Sequence, residues 1–585
     1  MSRDAASYRQ RGQLYLKMGD YERALGDLSE SSRLDHTEVQ TWNQMGSCCH
    51  ALGRARESVE CFLKALSLDP KNEFALVNLA HVYQDWGKEQ EAEACLDRVC
   101  SLNAENAQLV RLRASLYFAV GRHQSCAEVL EAERARRGGS LERRQVEMLA
   151  TVYHGLGRLE EAVEEYDRAL KLGGDASWVC WYQKCVCLYW QRCLDEPIAS
   201  VDMDRDLPPA FKEGWCKRSP VTESMRRLVQ WLERLDGRGA SVEELVPSSE
   251  ELELISYARD VGVWIHQDAP GFLRNRRQVA MAGFAALEVA QTLRQKWGAS
   301  ASVDWRSIYS IVVKWRQYSE PNDAVWWVDQ LTPEQFVSGF GSQTPIVTGQ
   351  YRVIRYGPMF HRTFSIMKTL IAQQCAVGEQ ELRALESAKT CADMYDVMKS
   401  DFWVLTSCHS VAIPGKVMEG TRLTLQRTCS SKGFEFGIRT PGTPPRWLDY
   451  QLELDHAWNQ LSLEANKPSP CIESVSYWIM ACTFYWYNFM PLSRGSAATG
   501  YITMLGLFLA CGYRVASKIP RGTLLDWDAI LFPTLEQFLS SCTPWLYPGR
   551  QAIDTSDFDS LPSVSELFPT LRKRIALLNY ASPRV

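Results

Sequence analysis

The chain is expected to be mostly α-helical: a superhelix of stacked helix pairs, then a larger, mainly helical region carrying one small β-hairpin. Three observations predict this. Gly19, Gly53, Gly87 and Gly121 recur every 34 residues, a period that suits one helix pair per unit. Beyond residue 200 that period is gone, yet apolar residues still fall at helical spacing. Between Thr421 and Thr440 apolar and polar residues alternate instead, and a period of two is the signature of a strand.

The repeating glycines come with company. Four positions before each stands Tyr15, Cys49, Tyr83 or Tyr117, and five positions after it Ala24, Ser58, Ala92 or Cys126. The second unit reads Trp42, Met45, Gly46, Gly53, Ser58, Phe62, Ala65, Leu68 and Pro70, which follows the tetratricopeptide (TPR) pattern of two antiparallel helices. The units are expected at about Ala5 to His36, Val39 to Pro70, Glu73 to Ala104, and from Ala107 onward. Small residues such as Gly46 and Ala80 let paired helices approach, and Phe62 fills the gap beside them. After Gly121 the interval is 36, with Arg136 to Ser140 absorbing the extra residues, and a fifth unit reads Ala150, Tyr153, Gly157, Ala162, Tyr166, Ala169 and Leu172. Trp178 to Trp190 is expected to open a sixth, atypical unit. Since no unit buries its apolar face alone, neighbours must stack. The array is therefore placed at residues 5–190 and the second region at 200–585.

In the second region, residues 206–215 (Asp-Leu-Pro-Pro-Ala-Phe-Lys-Glu-Gly-Trp) read as a loop. Helices are expected at Ser219–Leu235, Ser248–Asp260, Arg277–Trp297, Trp305–Arg316, Phe360–Gln373 and Glu379–Met398, with a strand at Phe402–Ile413. Thr421–Thr428 and Phe434–Thr440 form the hairpin, with Cys429 to Gly433 as its turn. A helix follows at Trp447–Ala465, and a last one at Leu571–Asn579. Ser474–Tyr513 is the most apolar stretch, with Arg494 its only charge. Pro491 and Ser493-Arg-Gly-Ser break it in the middle, and its Tyr and Trp residues are spread along the first half, where a membrane helix would hold them at its ends. Two buried core helices are expected there, including Trp478 and Trp486, and no membrane span.

The balance of 65 Lys and Arg against 70 Asp and Glu, for a net charge of −5, lacks the basic footprint of a nucleic-acid binder. The 19 cysteines form no repeating framework, and Cys180, Cys185 and Cys187 lack the second pair a zinc site needs. No Asn-x-Ser/Thr sequon is present and the first residues enter a repeat directly. A cytoplasmic or nuclear protein with reduced thiols is expected. No glycine-rich phosphate loop occurs, so no cofactor is expected, and Asp401, Cys408, His409, His361, Asp455 and His456 stand at no catalytic spacing.

The chemistry that remains is recognition. The inner face of the array is expected to be lined by Arg9, Gln13, Asn43, Ser47, His50, Val77, His81, Gln84, Arg111, Ser115 and Phe118. Amides suit a peptide backbone and arginines its acidic groups. The chaperone-type carboxylate clamp of two lysines, two asparagines and an arginine is not reproduced, because the matching positions hold Arg9, Gln13, Gln44, Phe74 and Asn78.

Six further stretches carry a resemblance: Asp206-Leu-Pro-Pro-Ala-Phe-Lys, Ala269-Pro-Gly-Phe-Leu, Ala285-Ala-Leu-Glu-Val, Val313-Lys-Trp-Arg, Met490-Pro-Leu-Ser-Arg-Gly-Ser, and the segment from Leu561 to Arg572. In this order they resemble the tetratricopeptide repeat protein 13 family, which includes a plant suppressor of effector-triggered immunity. The resemblance implies an adaptor without enzymatic activity, with protein partners and a role as negative regulator of defence signalling or transcription in cytoplasm and nucleus. Animal members begin with a longer extension and a secretory-type leader, which implies the secretory route if this chain is a shortened form. The alternative function is a degenerate Fic-like pocket. Aligned on Gly495, the Fic loop's general-base histidine is Asn488 and its acidic metal ligand is Leu492. An amide cannot take up the hydroxyl proton, so Asn488, Ser493, Arg494 and Gly495 are expected at most to line a catalytically silent pocket.

Overall fold

A computed structural model describes residues 4–582 apart from 104–106, 174–176, 218–220, 234–240, 267–272, 324, 330–344, 349–350, 353–356, 376, 428–433 and 440–443. The first five helix pairs are α1 (Ala5–Lys17) with α2 (Tyr21–Leu34), α3 (Val39–Ala51) with α4 (Ala55–Leu68), α5 (Glu73–Asp85) with α6 (Glu89–Leu102), α7 (Ala107–Ala119) with α8 (His123–Arg136), and α9 (Arg143–Leu156) with α10 (Leu159–Lys171). Each pair turns at the expected glycine. Gly53, for instance, has φ +72°, the left-handed conformation in which a helix ends most readily on glycine.

Packing explains the small residues. A Cβ on Gly46 would stand 2.8 Å from the Phe62 ring, so the glycine is the space that Phe62 fills. The Ser58 hydroxyl donates to the Gly46 carbonyl at 2.7 Å, and at the equivalent place two repeats on the Cys126 thiol lies 3.3 Å from the Ala114 carbonyl. Ala24, Ala92 and Ala162 fill the same place in the other repeats, so the slot takes any small side chain, and serine or cysteine there adds a hydrogen bond to the facing carbonyl.

The sixth unit is the single long helix α11 (Ser177–Cys193), packed on α10. After it come α12 (Met203–Asp206), α13 (Pro209–Lys217), α14 (Glu223–Glu233), α15 (Ser249–Gly262), α16 (Arg276–Gly298) and α17 (Trp305–Ser319). The loop expected at 206–215 is thus largely α13. Pro209 stands at its first position, where the absent N–H breaks no helical hydrogen bond. Later helices span Gly357–Gln374, Pro444–Ala465, Ile472–Phe489, Ser496–Ala510 and Leu571–Ala581. The helix expected at Glu379–Met398 is two, Glu379–Ser387 and Cys391–Met398. Thr390 and Asp393 exchange side-chain to backbone hydrogen bonds of 3.1 and 2.9 Å, a capping box that starts the second helix anew.

The strands β1 (Pro345–Thr348), β2 (Tyr351–Arg352), β3 (Phe402–His409), β4 (Val417–Arg427) and β5 (Phe434–Arg439) form an antiparallel sheet in the order β2-β1-β5-β4-β3. The expected hairpin is β4 and β5, in register Thr424 to Gly437; its turn, 429–433, lies outside the described residues. The strand expected to reach Ile413 stops at His409, where Ser410, Val411 and Ala412 turn their polar groups onto Glu453. Two short strands, β6 (Tyr513–Val515) and β7 (Arg550–Ala552), pair separately.

The largest core gathers α16, α17 and the helices 472–489 and 496–510, with Trp305, Trp315 and Trp486 buried. Trp478 is only half-buried, against His456 and Tyr477. A second core runs from repeats four and five through α11 to Tyr318, Trp326, Leu571 and Ile575. Arg277 sits between the two. Its buried guanidinium donates to the carbonyls of Gly155 (2.7 Å) and Ser319 (3.1 Å) and to Asn579 Oδ1 (2.7 Å). Beside it Arg276 pairs with Glu89 at 3.0 Å and donates its N–H to the Val120 carbonyl at 2.9 Å. Among the described residues no helix is long and apolar enough to cross a membrane.

Candidate functional site

The first helices of the repeats, α1, α3, α5 and α7, carry the expected groove residues, and the structure separates them into three groups. Asn43 and Val77 are buried, at 7% and 4% exposure. Val77 belongs to the core of repeats two to four. Asn43 Nδ2 donates to Asn72 Oδ1 at 3.1 Å, and that oxygen also caps α5 by accepting from Ala75 N–H at 2.9 Å. Asn43 therefore buttresses the start of the next repeat; the sequence alone could not distinguish this from a residue facing a peptide, since both need an amide at the same helical position.

A second group is half-buried and engaged with its own neighbours. Arg9 pairs with Glu38 at 2.6 Å, and Ser47 Oγ donates to the Asn43 carbonyl at 3.0 Å. His50 Nε2 lies 2.7 Å from Asp85 Oδ2, Gln84 Nε2 donates to Ser115 Oγ at 3.2 Å, and Phe118 stacks on His123 with ring centres 5.7 Å apart. Gln13 is half-buried as well.

The third group is open. His81 and Arg111 are exposed on α5 and α7, and Arg111 makes no ion pair among the described residues. The His81 ring stands 6.1 Å from that of His50. Partial desolvation lowers its pKa below the usual imidazole value, against Asp85, which raises it; the neighbouring His50 and the Arg111 guanidinium also act to lower it. Near neutral pH this stretch thus presents an uncharged imidazole beside a fixed guanidinium. Phe74, on the His81 face of α5, is 54% exposed.

The loop 488–496 turns the residues expected to line a pocket in different directions. Asn488 is fully buried, its Nδ2 donating to the Phe484 carbonyl at 3.1 Å and the Ala529 carbonyl at 2.9 Å. Arg494 points outward, 51% exposed and 3.2 Å from Asp323. Ser493 Oγ accepts from Trp326 N–H at 3.0 Å. Gly495, at φ +78°, caps the helix 496–510, and its carbonyl accepts from Arg316 Nη1 at 2.8 Å. The four residues do not converge: Asn488 is turned into the core and Arg494 to the surface. Instead the family-like stretches meet one another here. Trp315 donates to Glu288 at 2.6 Å, Arg574 grips Glu288 with two bonds of 2.8 Å, and Arg316 ties Gly495 to Glu320 (2.6 Å) and Asp323 (3.2 Å). Through Trp315, Arg316, Glu288 and Gly495 these motifs hold the fold together.

Comparison with known proteins agrees with the repeat architecture. The model of the Cilia and flagella-associated protein 70 middle TPR-like domain matches residues 15–171. The chain is 33% identical over 476 residues to Suppressor of RPS4-RLD 1 of Arabidopsis thaliana, covering 68% of this chain and 45% of that protein. It is 29% identical over 390 residues to Tetratricopeptide repeat protein 13 of Homo sapiens, covering 61% of this chain and 44% of that one. The chain thus spans about half the length of these relatives. Among solved structures, MamA from Desulfovibrio magneticus RS-1 is 22% identical with a TM-score of 0.26, covering 29% of this chain and 94% of that one.

Proposed function

We propose that this chain, a homologue of Tetratricopeptide repeat protein 13 and of Suppressor of RPS4-RLD 1 built on a TPR-like array, is a protein-interaction scaffold that holds an extended, acidic segment of a partner protein along the first helices of repeats three and four. One observation carries this reading. Arg111 is an exposed guanidinium with no ion-pair partner among the described residues, near enough to exposed His81 to act on it, and Phe74 is exposed on the His81 face of α5. A guanidinium can fork onto a carboxylate, the neutral imidazole and the nearby Gln84 amide can serve a peptide backbone, and the phenyl ring gives an apolar contact. The plant relative's name supports a suppressor role, and regulation of defence signalling or transcription in cytoplasm or nucleus is the corresponding reading for this chain, as a non-enzymatic adaptor. The test is recovery of partners by the wild type and by Arg111→Ala and Arg111→Glu, both at an exposed position. Loss of one charge-assisted hydrogen bond should weaken binding by about 1.5–3 kcal/mol, with Arg111→Glu worse than Arg111→Ala. Equal recovery of every partner by all three proteins would overturn the proposal.

A further inference from the structure

Away from the repeats, a cleft of about 310 Å³ opens between α12, with its cap Asp202, and one face of α17, with Trp327 at its side. That volume is at the small end of ligand-binding pockets. The cleft lies outside the proposed peptide face and shares none of its residues.

Most of the charges around it are already neutralised. Arg205 donates to Asp206 at 2.8 Å and to the Ser200 carbonyl at 2.7 Å. Arg306 is paired with the buried Asp329, and its guanidinium lies 4.5 Å from the centre of the Trp327 ring. Asp204 accepts from Trp327 N–H at 3.1 Å and Gln317 Nε2 at 2.9 Å, with Lys212 Nζ 3.7 Å away.

Two opposite charges remain loosely engaged. Lys314 Nζ stands 3.6 Å from Asp202 Oδ2, too far for a hydrogen bond, and the ammonium makes none among the described residues. Asp202 uses its other oxygen to cap α12, accepting from Arg205 N–H at 3.2 Å. One turn before Lys314 on the same helix face is Ser310, half-buried, whose hydroxyl likewise makes no hydrogen bond among the described residues. A net anion in this cleft would meet Asp202 and Asp204, and a net cation would meet Lys314 and Arg205. Neither sign is favoured.

We propose that the cleft binds a free α-amino acid, its ammonium on Asp202 and its carboxylate on Lys314 and the Ser310 hydroxyl. An α-amino acid carries its two charges one carbon apart, so it can lie alongside the Asp202–Lys314 pair and complete a square of alternating charge. Its side chain would rest toward Trp327 and Val313. Each ligand charge then gains a charge-assisted hydrogen bond without adding net charge to the cleft.

The experiment is calorimetric titration of the full chain with glycine, L-alanine and L-leucine, with acetate and methylammonium as single-charge probes. At least one amino acid should bind about tenfold more tightly than either probe, and Lys314→Met and Asp202→Asn should each lower that affinity by about tenfold or more. Ligand-free melting curves establish that the variants are folded, and Ser310→Ala, a milder change, should weaken binding in the same direction. No binding of any amino acid to the wild type would overturn the proposal. So would acetate binding as tightly as the amino acids, which would make this an anion site, or variants that keep wild-type affinity.

Discussion

Gly495 is a position where one atom matters. Its φ is +78°, and a Cβ there would stand 1.8 Å from Arg316 Nη1. Gly495→Ala combines left-handed backbone strain of about 1–2 kcal/mol with displacement of a buried guanidinium, so the melting temperature should fall clearly; an unchanged melting curve would refute the account. Asp204 allows a second test at this scale. Burial raises its carboxyl to about 6, against the opposing effect of Lys212 and its hydrogen bonds. Between about pH 4 and 6 the folded chain keeps a proton that the unfolded chain has released, so stability falls through this group as pH rises across that window. Wild type should therefore lose on the order of 2 kcal/mol relative to Asp204→Asn between about pH 4 and pH 7. A stability difference that does not change with pH would contradict this. Residues of this kind are the least legible in a sequence. Asn43 and Asn488 look like polar groups available to a ligand, and only the packed chain reveals that Asn72 and the Phe484 and Ala529 carbonyls occupy them.

At the scale of elements, legibility depended on length and repetition. The helix pairs could be placed because each glycine, small residue and aromatic residue recurs in register. The hairpin could be read because β4 and β5 are long enough to alternate. Strands β6 and β7 have three residues each, too few for any period, and their pairing is supplied by the chain around them. The break between Ser387 and Cys391 is hidden by the helical apolar pattern on both sides, although Thr390 and Asp393 spell a cap. Packing within a pair gives a sharp prediction. Phe62→Ala should cost about 3–5 kcal/mol through the cavity it leaves. Gly46→Leu should also destabilise, by driving a side chain into the Phe62 ring, but the two changes together should cost less than their sum, because one side chain's volume moves into the other's space. Strict additivity in denaturant melts would show that the two positions do not share a space.

For the whole molecule, the decisive residue is Arg277, which no sequence pattern singles out. Its partners Gly155 and Asn579 are 122 and 302 positions away, beyond the reach of any local pattern. Burial lowers its pKa to about 10, so it remains a cation at neutral pH, held by carbonyl and amide oxygens. Arg277→Ala leaves those acceptors unpaired, and truncating a hydrogen-bonded buried cation costs several kcal/mol. The variant should be cut by a protease near residues 190–275 faster than wild type, and its calorimetric melt should broaden or split. A cleavage pattern and melt identical to wild type would remove Arg277 as the clasp. The placing of these ties has a mechanical consequence. Repeats three to five are held by α16 and the last helix through Glu89, Val120, Gly155 and Leu156, whereas repeats one and two have no described hydrogen bond or ion pair to residues beyond 200. The array is thus a cantilever, rooted at its far end. A pull near Arg9 is absorbed as deflection of the free tip, but a pull at Arg111 arrives close to the root, where α7 leads into the Val120 and Gly121 turn that α16 grips, and is passed into the rest of the molecule as torque.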